Sequence, residues 1–397
     1  MKATGKDDVT VSGWSFEDSG TKGDSYMSQI DRVTVFGEAG GKEVAVKLVV
    51  KSLPKNIGRR KTFRSTDFFH NEVTFYNEVV PVLKKFVDSK GQKSLFVTPA
   101  CLSAMTDGEN DYLALEDVGV LGFGTVTRND RLDLKQMDIL LRAMANFHAV
   151  SFGYKDQNPD EFRRLADKLE ETYFGEGHWD FYKNYRAILV RVAGDALKKE
   201  YPGHPATEKF NSEPPRILWE RSSSLCKRWH APTSVIDQGD AWAPNFLIRK
   251  VADETEALLL DFQVARVASP VLDLSFLIYC CGDEQLVDGH FDEMLKTYHS
   301  ALSTAIEALG SDPEKVYPWF LFEEEVKEHS CFGVSCAVEA VPFTVMEDSE
   351  VFDLDSIIEG DEAVDMAEAL PVENVKTSAG RRRLAGLLVH AYSRGFL

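Results

Sequence analysis

The chain lacks a long hydrophobic run, a cysteine pair at metal-binding spacing and an excess of positive charge. Lysine and arginine total 45 against 64 aspartates and glutamates, so the formal net charge is −19. This balance argues against nucleic-acid binding, which depends on neutralising phosphates with basic side chains. No apolar run reaches the roughly 18 residues typical of a membrane span. The longest candidate, 270–281, is interrupted by Asp273. The start, Met1 to Asp8, lacks the apolar core of a secretory signal.

The six cysteines show no Cys-x-x-Cys pattern and no zinc-binding spacing. Scattered buried thiols in a reducing cytoplasm are the simplest interpretation. Apolar residues make up 44% of the 397-residue chain and charged residues 27%, which is ordinary for a globular protein. We therefore expect a cytoplasmic protein that needs no nucleic acid, membrane or obligate protein partner.

The most informative segment runs from Val235 to Phe262 and has the pattern of three short strands. Asp240 lies in the loop after the first strand, Asn245 follows five residues later, and Asp261 stands where the third apolar run stops. Phosphoryl transfer from ATP needs an Asp that orients and deprotonates a hydroxyl group, and an Asn and an Asp that hold Mg²⁺. The Asp-to-Asn spacing equals that of the kinase catalytic loop. The alternative is that all three are turn or strand-end residues.

A strand in the N-terminal third contains one lysine among small apolar neighbours. It covers residues 43–50, and its Lys47 shares a face with Ala45 and Val49. Such a lysine is expected where the sheet covers nucleotide phosphates, and a snorkelling surface lysine is the alternative. A helix predicted from Ser65 to about Phe86 carries Glu72 beside its apolar stripe. This carboxylate is placed to reach Lys47, as in the strand-lysine and helix-glutamate pair of kinases. The alternative is a Glu at the edge of the stripe with no specific partner.

Two further segments complete the predicted nucleotide site. Gly20 and Gly23 fit a loop that covers phosphates, although an ordinary hairpin loop fits them nearly as well. The strand at 112–115 marks the end of a first lobe, and backbone groups of Glu116 to Val118 are predicted to meet adenine. The chain then divides into a nucleotide-binding lobe, 1–117, and a catalytic and acceptor-binding lobe, 118–397.

The second part has a mostly helical pattern. His148, on a helix predicted over 132–150, is interpreted as a core histidine bonded to a backbone carbonyl rather than a catalytic one. Only twelve residues separate Asp261 from Asp273, which leaves no room for a protein-kinase activation segment and disfavours a peptide substrate. Asp273 fits a helix N-cap. Aromatic residues over 173–185 suit helix packing or an acceptor pocket. The acidic stretch 347–373 resembles a solvated loop or a flexible cover.

These motifs resemble those of the ecdysteroid kinase-like family, which is similar to choline kinases and aminoglycoside phosphotransferases. The family pattern His-Gly-Asp-x-Trp-x-x-Asn is matched by residues 238–245, and Asp-Phe-Gln is matched by 261–263. The pattern Phe-x-x-Glu-x-x-Phe-Tyr is matched by 69–76, with Glu72 as its glutamate. The resemblance implies an α+β, two-lobed protein-kinase-like fold. Its N-terminal lobe would be a small antiparallel sheet with one main helix, and its larger C-terminal lobe would be mainly helical.

The resemblance also implies an ATP- and Mg²⁺-dependent kinase acting on an alcohol. An ecdysteroid, another hydroxylated sterol or a xenobiotic alcohol is favoured, and an amino alcohol such as choline comes next. In this reading Asp240, Lys47 and Glu72 are catalytic, and Asn245 and Asp261 bind the metal. The chain departs from the family in having Gln238 where histidine is usual. That histidine resembles a scaffold residue, and glutamine keeps hydrogen-bonding capacity. The departure leaves open a catalytically inactive binding protein of the same fold.

Overall fold

The computed structural model describes residues 9–17, 27–126, 132–252, 254–347 and 352–397. Gly20 and Gly23 lie outside these ranges, so the predicted phosphate-covering loop stays a prediction. The expected architecture is confirmed. A small antiparallel sheet with one main helical rod is followed by a larger, mainly helical part.

The N-terminal sheet contains five antiparallel strands in the spatial order β1-β2-β3-β5-β4. Their bounds are β1 Val9–Phe16, β2 Gln29–Ala39, β3 Lys42–Ser52, β4 Cys101–Met105 and β5 Tyr112–Glu116. The turn between β2 and β3 uses Gly40 and Gly41, whose positive φ angles of 59° and 75° suit glycine. Strand β3 lies between β2 and β5, and it extends two residues beyond the predicted end. This extension places Lys51 inside the strand.

One helical rod packs beside this sheet. After the short α1, Ile57–Thr62, the rod consists of α2, Ser65–Thr74, a π-helical turn, Phe75–Val79, and α3, Val80–Ser89. Pro81, predicted to kink or end the helix, is at the start of α3. Proline has no N–H to donate and its ring crowds the preceding turn, and the wider π turn just before it accommodates both.

The C-terminal part contains thirteen further α-helices and five short strands within the described ranges. In chain order they are β6 Gly124–Thr125, α4 Leu134–Gln157, α5 Pro159–Ala166, α6 His178–Glu200, α7 Pro205–Ser212, α8 Pro215–Cys226, β7 Val235–Asp237, β8 Phe246–Val251, β9 Glu254–Leu259, β10 Arg266–Ala268, α9 Val271–Cys281, α10 Glu284–Ala308, α11 Pro313–Val316, α12 Trp319–His329, α13 Cys331–Thr344, α14 Leu354–Ile357, α15 Met366–Ala369 and α16 Ser378–Arg394. Strand β7 pairs with β10, and β8 pairs with β6 and β9. None of the helices in the described ranges combines the length and apolar character that a membrane crossing needs.

Three buried aromatic rings join the rod to the C-terminal part. The ring of Phe262 stacks on Phe75 at 3.9 Å between centroids, with 9° between the ring planes. It also contacts Phe147 of α4 at 5.7 Å. Stacked and tilted pairs of this kind are favourable beyond the area they bury. Because Phe262 follows Asp261 directly, this packing fixes where the Asp261 carboxylate emerges.

The tail segment, residues 352–375, bridges α1 and α6. The Gly58 amide donates to the Gly360 carbonyl at 3.2 Å, and the Asn56 side chain donates to the Ile358 carbonyl at 2.8 Å. On the other side Asn184 of α6 donates to Asp365 at 2.5 Å. Ile358 is fully buried. The expectation of a solvated loop is therefore wrong for this part, because apolar residues interspersed among the acidic ones anchor it.

Candidate active site

The loop after β7 brings Asp240 and Asn245 together. The Asn245 side-chain amide donates to the Asp240 carboxylate and to the Asp240 carbonyl, both at 2.9 Å. A short 3-10 turn at Ala243–Asn245 closes the loop and leads into β8. The sequence prediction that these two side chains share a site agrees with this geometry.

Asp261 stands at the end of the β8–β9 hairpin, facing the same space. Its backbone has φ 57°, in the left-handed region that few residues other than glycine occupy. The Leu260 amide donates to the Asn245 carbonyl at 2.8 Å, so the end of the hairpin is tied to the loop. The next residue, Phe262, is held by the packing of its buried ring. These constraints keep the Asp261 carboxylate beside Asp240 and Asn245.

The lysine at this site is Lys51. Its Nζ lies 2.6 Å from Glu72 Oε2 and 2.7 Å from Asp261 Oδ1. The side chains of Lys51 and Glu72 are only 9% and 2% exposed. The contacts thus link the central strand β3, the helical rod and the Asp261 turn. Sequence reasoning missed Lys51.

The predicted pair of Lys47 with Glu72 is wrong. Lys47 Nζ instead lies 2.7 Å from Glu17 Oε1, and its side chain is 46% exposed. Lys47 and Lys51 lie on the same face of β3 because they are an even number of residues apart. At about 3.4 Å per residue they are roughly 14 Å apart along the strand. The helical rod passes over the end of β3 that carries Lys51. Glu72 is therefore the helix partner of a strand lysine, as predicted, but that lysine is Lys51 and not Lys47.

Opposite charges define the electrostatics of the site. Burial alone would lower the pKa of Lys51, but the charges of Asp261 and Glu72 raise it overall and keep the ammonium charged. Burial raises the pKa of Asp240 to about 7, and the nearby Asp261 carboxylate adds to the effect, while the Asn245 hydrogen bond opposes it. A cation bound beside Asp240 would favour the ionised form of this carboxylate.

Asp273 holds the backbone of the Asp240 loop. Its carboxylate accepts hydrogen bonds from the amides of Gln238, at 2.6 Å, and Gly239, at 2.9 Å. The predicted N-cap role is wrong, because Pro270 occupies the N-cap and Asp273 lies in the first turn of α9. His148 is buried, as expected, but its ring contacts the Tyr298 hydroxyl at 2.6 Å and Asp273 at 3.2 Å instead of a backbone carbonyl.

Comparison with known proteins identifies the family of this chain. The model of the ecdysteroid kinase-like family matches residues 22–311. The chain belongs to the ecdysteroid kinase-like family. It is therefore a member of a small-molecule kinase-like family. The search among curated proteins found no match.

Solved structures of small-molecule kinases are similar to this family member at low identity. An ethanolamine kinase from Plasmodium vivax is 13% identical, with 78% of this chain and 73% of that chain covered and a TM-score of 0.37. A choline/ethanolamine kinase family protein from Mesorhizobium loti is 15% identical, with 95% and 92% covered and a TM-score of 0.36. An aminoglycoside phosphotransferase from Streptomyces rimosus, in complex with ADP and streptomycin, is 14% identical, with 75% and 90% covered and a TM-score of 0.32.

Gln238 connects the two sides of the site in this ecdysteroid kinase-like protein. Its side-chain amide donates to the carbonyls of Leu260 and Asp261 at 2.7 and 2.8 Å. Its side-chain oxygen accepts from the Asp240 amide at 2.8 Å. Gln238 thus braces the Asp240 loop against the Asp261 turn with both ends of its side chain. These contacts are those of a scaffold residue.

The segment predicted to meet adenine follows β5. The Glu116 amide donates to the Ala100 carbonyl at 2.9 Å, so a purine contact at Glu116 would have to use its carbonyl oxygen. Val118 is buried in a small apolar cluster with Phe123, Leu247 and Leu258. This cluster joins the end of the N-terminal sheet to the β8–β9 hairpin. The roles of Glu116 and Val118 stay predictions.

Proposed function

We propose that this protein is an ATP-dependent small-molecule kinase that transfers the γ-phosphoryl group to an alcohol. The observation that carries the proposal is the contact of Lys51 with Glu72 and Asp261, at 2.6 and 2.7 Å, beside the bonded pair of Asp240 and Asn245. Five residues, from strand β3, the helical rod and the segment 235–262, meet there. Each has the chemistry that phosphoryl transfer requires.

Lys51 takes the role that the sequence assigned to Lys47. A charged ammonium on a rigid central strand is suited to binding the α- and β-phosphates of ATP. Glu72 is buried against it and fixes its direction. The proposed nucleotide-binding lobe, 1–117, supplies this pair, and the proposed catalytic lobe, 118–397, supplies the acidic residues.

Asn245 and Asp261 would hold Mg²⁺. The residues fit this ion, because Mg²⁺ prefers oxygen ligands and the site presents the Asn245 amide oxygen and the carboxylates of Asp261 and Asp240. When bound, Mg²⁺ neutralises charge on the phosphates of the nucleotide. The protein's part is to present an amide oxygen and a carboxylate from two braced loops.

Asp240 orients the acceptor hydroxyl and accepts its proton. A carboxylate whose pKa is raised to about 7 is a better base near neutral pH than an ordinary Asp. Asn245 and Gln238 hold this residue from two sides, so the attacking oxygen meets a fixed partner. Catalysis would come mainly from positioning and charge stabilisation.

The acceptor class follows from the family. A hydroxylated sterol of ecdysteroid type or a xenobiotic alcohol is favoured, with an amino alcohol such as choline next. The second candidate is an inactive binding protein of the same fold. Gln238 in place of the family histidine is the feature that favours it. The three hydrogen bonds of Gln238 count against it, because the loop that histidine would brace is still braced.

The test is ADP release with Mg²⁺, ATP and a panel of alcohols including ecdysone and choline. Asp240→Ala should abolish ADP release and leave nucleotide binding intact, whereas the exposed Asp160→Ala should leave both unchanged. Mg²⁺-dependent nucleotide binding without turnover across the panel would support the second candidate. Full activity of Asp240→Ala would refute the proposed role of this residue.

A further inference from the structure

A series of contacts leads from the Asp240 loop to Glu339 on α13. The buried Arg266 donates to the Gly239 carbonyl at 3.5 Å and to the Glu171 carboxylate at 2.5 Å. Glu171 accepts from the Tyr173 amide at 2.9 Å. The Tyr173 hydroxyl donates to Glu339, with oxygen–oxygen distances of 2.9 and 2.7 Å. The proposed catalytic loop and Glu339 are thus joined by one hydrogen-bonded network.

The segment that carries Tyr173 also contacts the residues that follow Asp261. The Thr172 hydroxyl donates to the carbonyl of Gln263, which lies two residues after Asp261, at 3.5 Å. Arg64, at the start of α2, donates to the Thr172 carbonyl at 2.9 Å. Glu339 also contributes to raising the pKa of Asp240. The hydrogen-bonded network therefore connects Glu339, on α13, to the Asp240 loop.

The buried Arg186 compensates the charge of Glu339. Arg186 is fully buried, and its guanidinium lies 2.7 Å from Glu339 Oε2 and 2.8 Å from the Ser335 hydroxyl. A buried guanidinium needs a counter-charge, and Glu339 supplies it. A carboxylate has about four acceptor sites, and Arg186 and Tyr173 leave room for a further donor. The Glu339 side chain is 25% exposed, so a bound molecule can reach it.

The ring of Tyr173 packs against other aromatic rings. The Tyr173 ring lies 4.6 Å from Tyr182 and 5.5 Å from Trp219, measured between centroids. Tyr173 itself is partly exposed. A site that combines aromatic surface with a few fixed polar groups suits an apolar molecule carrying several polar substituents.

We propose that Glu339 is a specificity-determining residue that binds a second hydroxyl group of a neutral, polyhydroxylated acceptor while another hydroxyl reaches Asp240. The apolar skeleton of the acceptor lies against Tyr173. A cationic acceptor is disfavoured because Arg186 already balances the carboxylate. The inference rests on the proposed kinase function and adds the residue that selects the acceptor.

The experiment compares ecdysone, a neutral polyhydroxylated steroid, with choline, a cationic alcohol. Glu339→Gln should raise the KM for ecdysone about 10- to 100-fold, the effect of losing a hydrogen bond to a charged group. The kcat and the KM for ATP should change little. Glu324→Gln, which makes the same change at an exposed position of α12, is the matched control and should behave as wild type. Thermal unfolding checks that each variant is folded.

Two further variants separate recognition from structural support. Tyr173→Phe keeps the ion pair of Arg186 with Glu339 and should raise the ecdysone KM less than Glu339→Gln does. Arg186→Gln leaves the Glu339 charge unbalanced and should increase kcat/KM for choline while kcat/KM for ecdysone falls. A merely structural role would lower both values together.

The outcomes distinguish this inference from the kinase proposal. An active wild type whose Glu339→Gln variant keeps its ecdysone KM overturns the inference and leaves the kinase. The inference is also overturned if the wild type phosphorylates choline but not ecdysone, or if calorimetry detects no binding of ecdysone. If the wild type binds ecdysone without turnover of any alcohol and Glu339→Gln weakens that binding, the binding role of Glu339 is supported and the kinase proposal fails.

Discussion

Replacing Lys51 tests the geometry on which the proposed site depends, and Lys47 on the same strand is a matched control. Both lysines lie on one face of β3, and both form an ion pair near 2.7 Å. They differ in burial, since Lys51 is enclosed by Glu72 and Asp261 while Lys47 is half exposed. If the burial of Lys51 and its contacts with Glu72 and Asp261 matter, Lys51→Met should greatly reduce stability and activity, and Lys47→Met should reduce them little.

The magnitude follows from what Lys51→Met leaves behind. Glu72 would remain almost fully buried without its counter-charge, and breaking a buried pair in this way costs about 3–5 kcal/mol of stability. Loss of a fixed charge at the phosphates should lower kcat on the order of 10²–10³-fold. The double variant Lys51→Met/Glu72→Leu removes both charges, so it should regain much of the stability and none of the activity.

The assays are chemical unfolding and ADP release under identical conditions for each variant. We expect Lys47→Met to unfold near the wild-type midpoint and to retain most of its activity. Loss of activity in Lys47→Met together with normal activity in Lys51→Met would refute the assignment. Failure of the double variant to recover stability would refute the account of Glu72 as a stranded charge.

Three further predictions concern the residues around Asp240. Because the pKa of Asp240 is raised to about 7, the carboxyl is protonated below that pH, and kcat/KM should fall about tenfold per pH unit there. Added Mg²⁺ should move this acid limb to lower pH, and a flat profile between pH 5 and 8 would contradict the role of Asp240. Gln238→Leu leaves two partly buried carbonyls and one partly buried amide without their protein partner, each costing at most about 1–3 kcal/mol, whereas Gln238→His should keep most of the activity. If Gln238→Leu and Gln238→His lose the same amount of stability and of ADP-release activity, Gln238 does not brace the loop. Asp273→Asn removes one of two acceptors for the loop amides and should speed hydrogen exchange at Gln238 and Gly239, and unchanged exchange there would show that Asp273 does not hold the loop.

The acidic side of the site could be predicted because its residues are close in sequence. Asp240, Asn245 and Asp261 lie on consecutive strand-and-turn units, so the hairpin pattern alone brings them together. Glu72 was also found, since its helix has a clear apolar stripe. Local periodicity of this kind depends only on near neighbours, and the tertiary structure preserved it.

The lysine could not be chosen by the same reasoning. Alternation along a strand separates one face from the other, but Lys47 and Lys51 share a face. Only the register of the sheet and the crossing of the rod decide between them, and both are tertiary properties. Asp273 was misassigned for a similar reason. A carboxylate in the first turn of a helix fits its own N-terminus, and nothing local shows that its partners are amides 35 and 34 residues earlier.

The tail segment ties the neighbourhood of the lysine strand to the distant carboxyl-terminal region. Helix α1 follows directly after the strand that carries Lys51, and its start is fastened to residues 358–360, which are in turn fastened through Asp365 to α6. Moving the lysine strand away from the acidic loops would require breaking those bonds and exposing Ile358 to water. Under the proposed function, the hydrogen bonds at residues 358–360 and at Asp365 would limit how far the lysine strand can move from the acidic loops, and a change that breaks them should alter nucleotide binding.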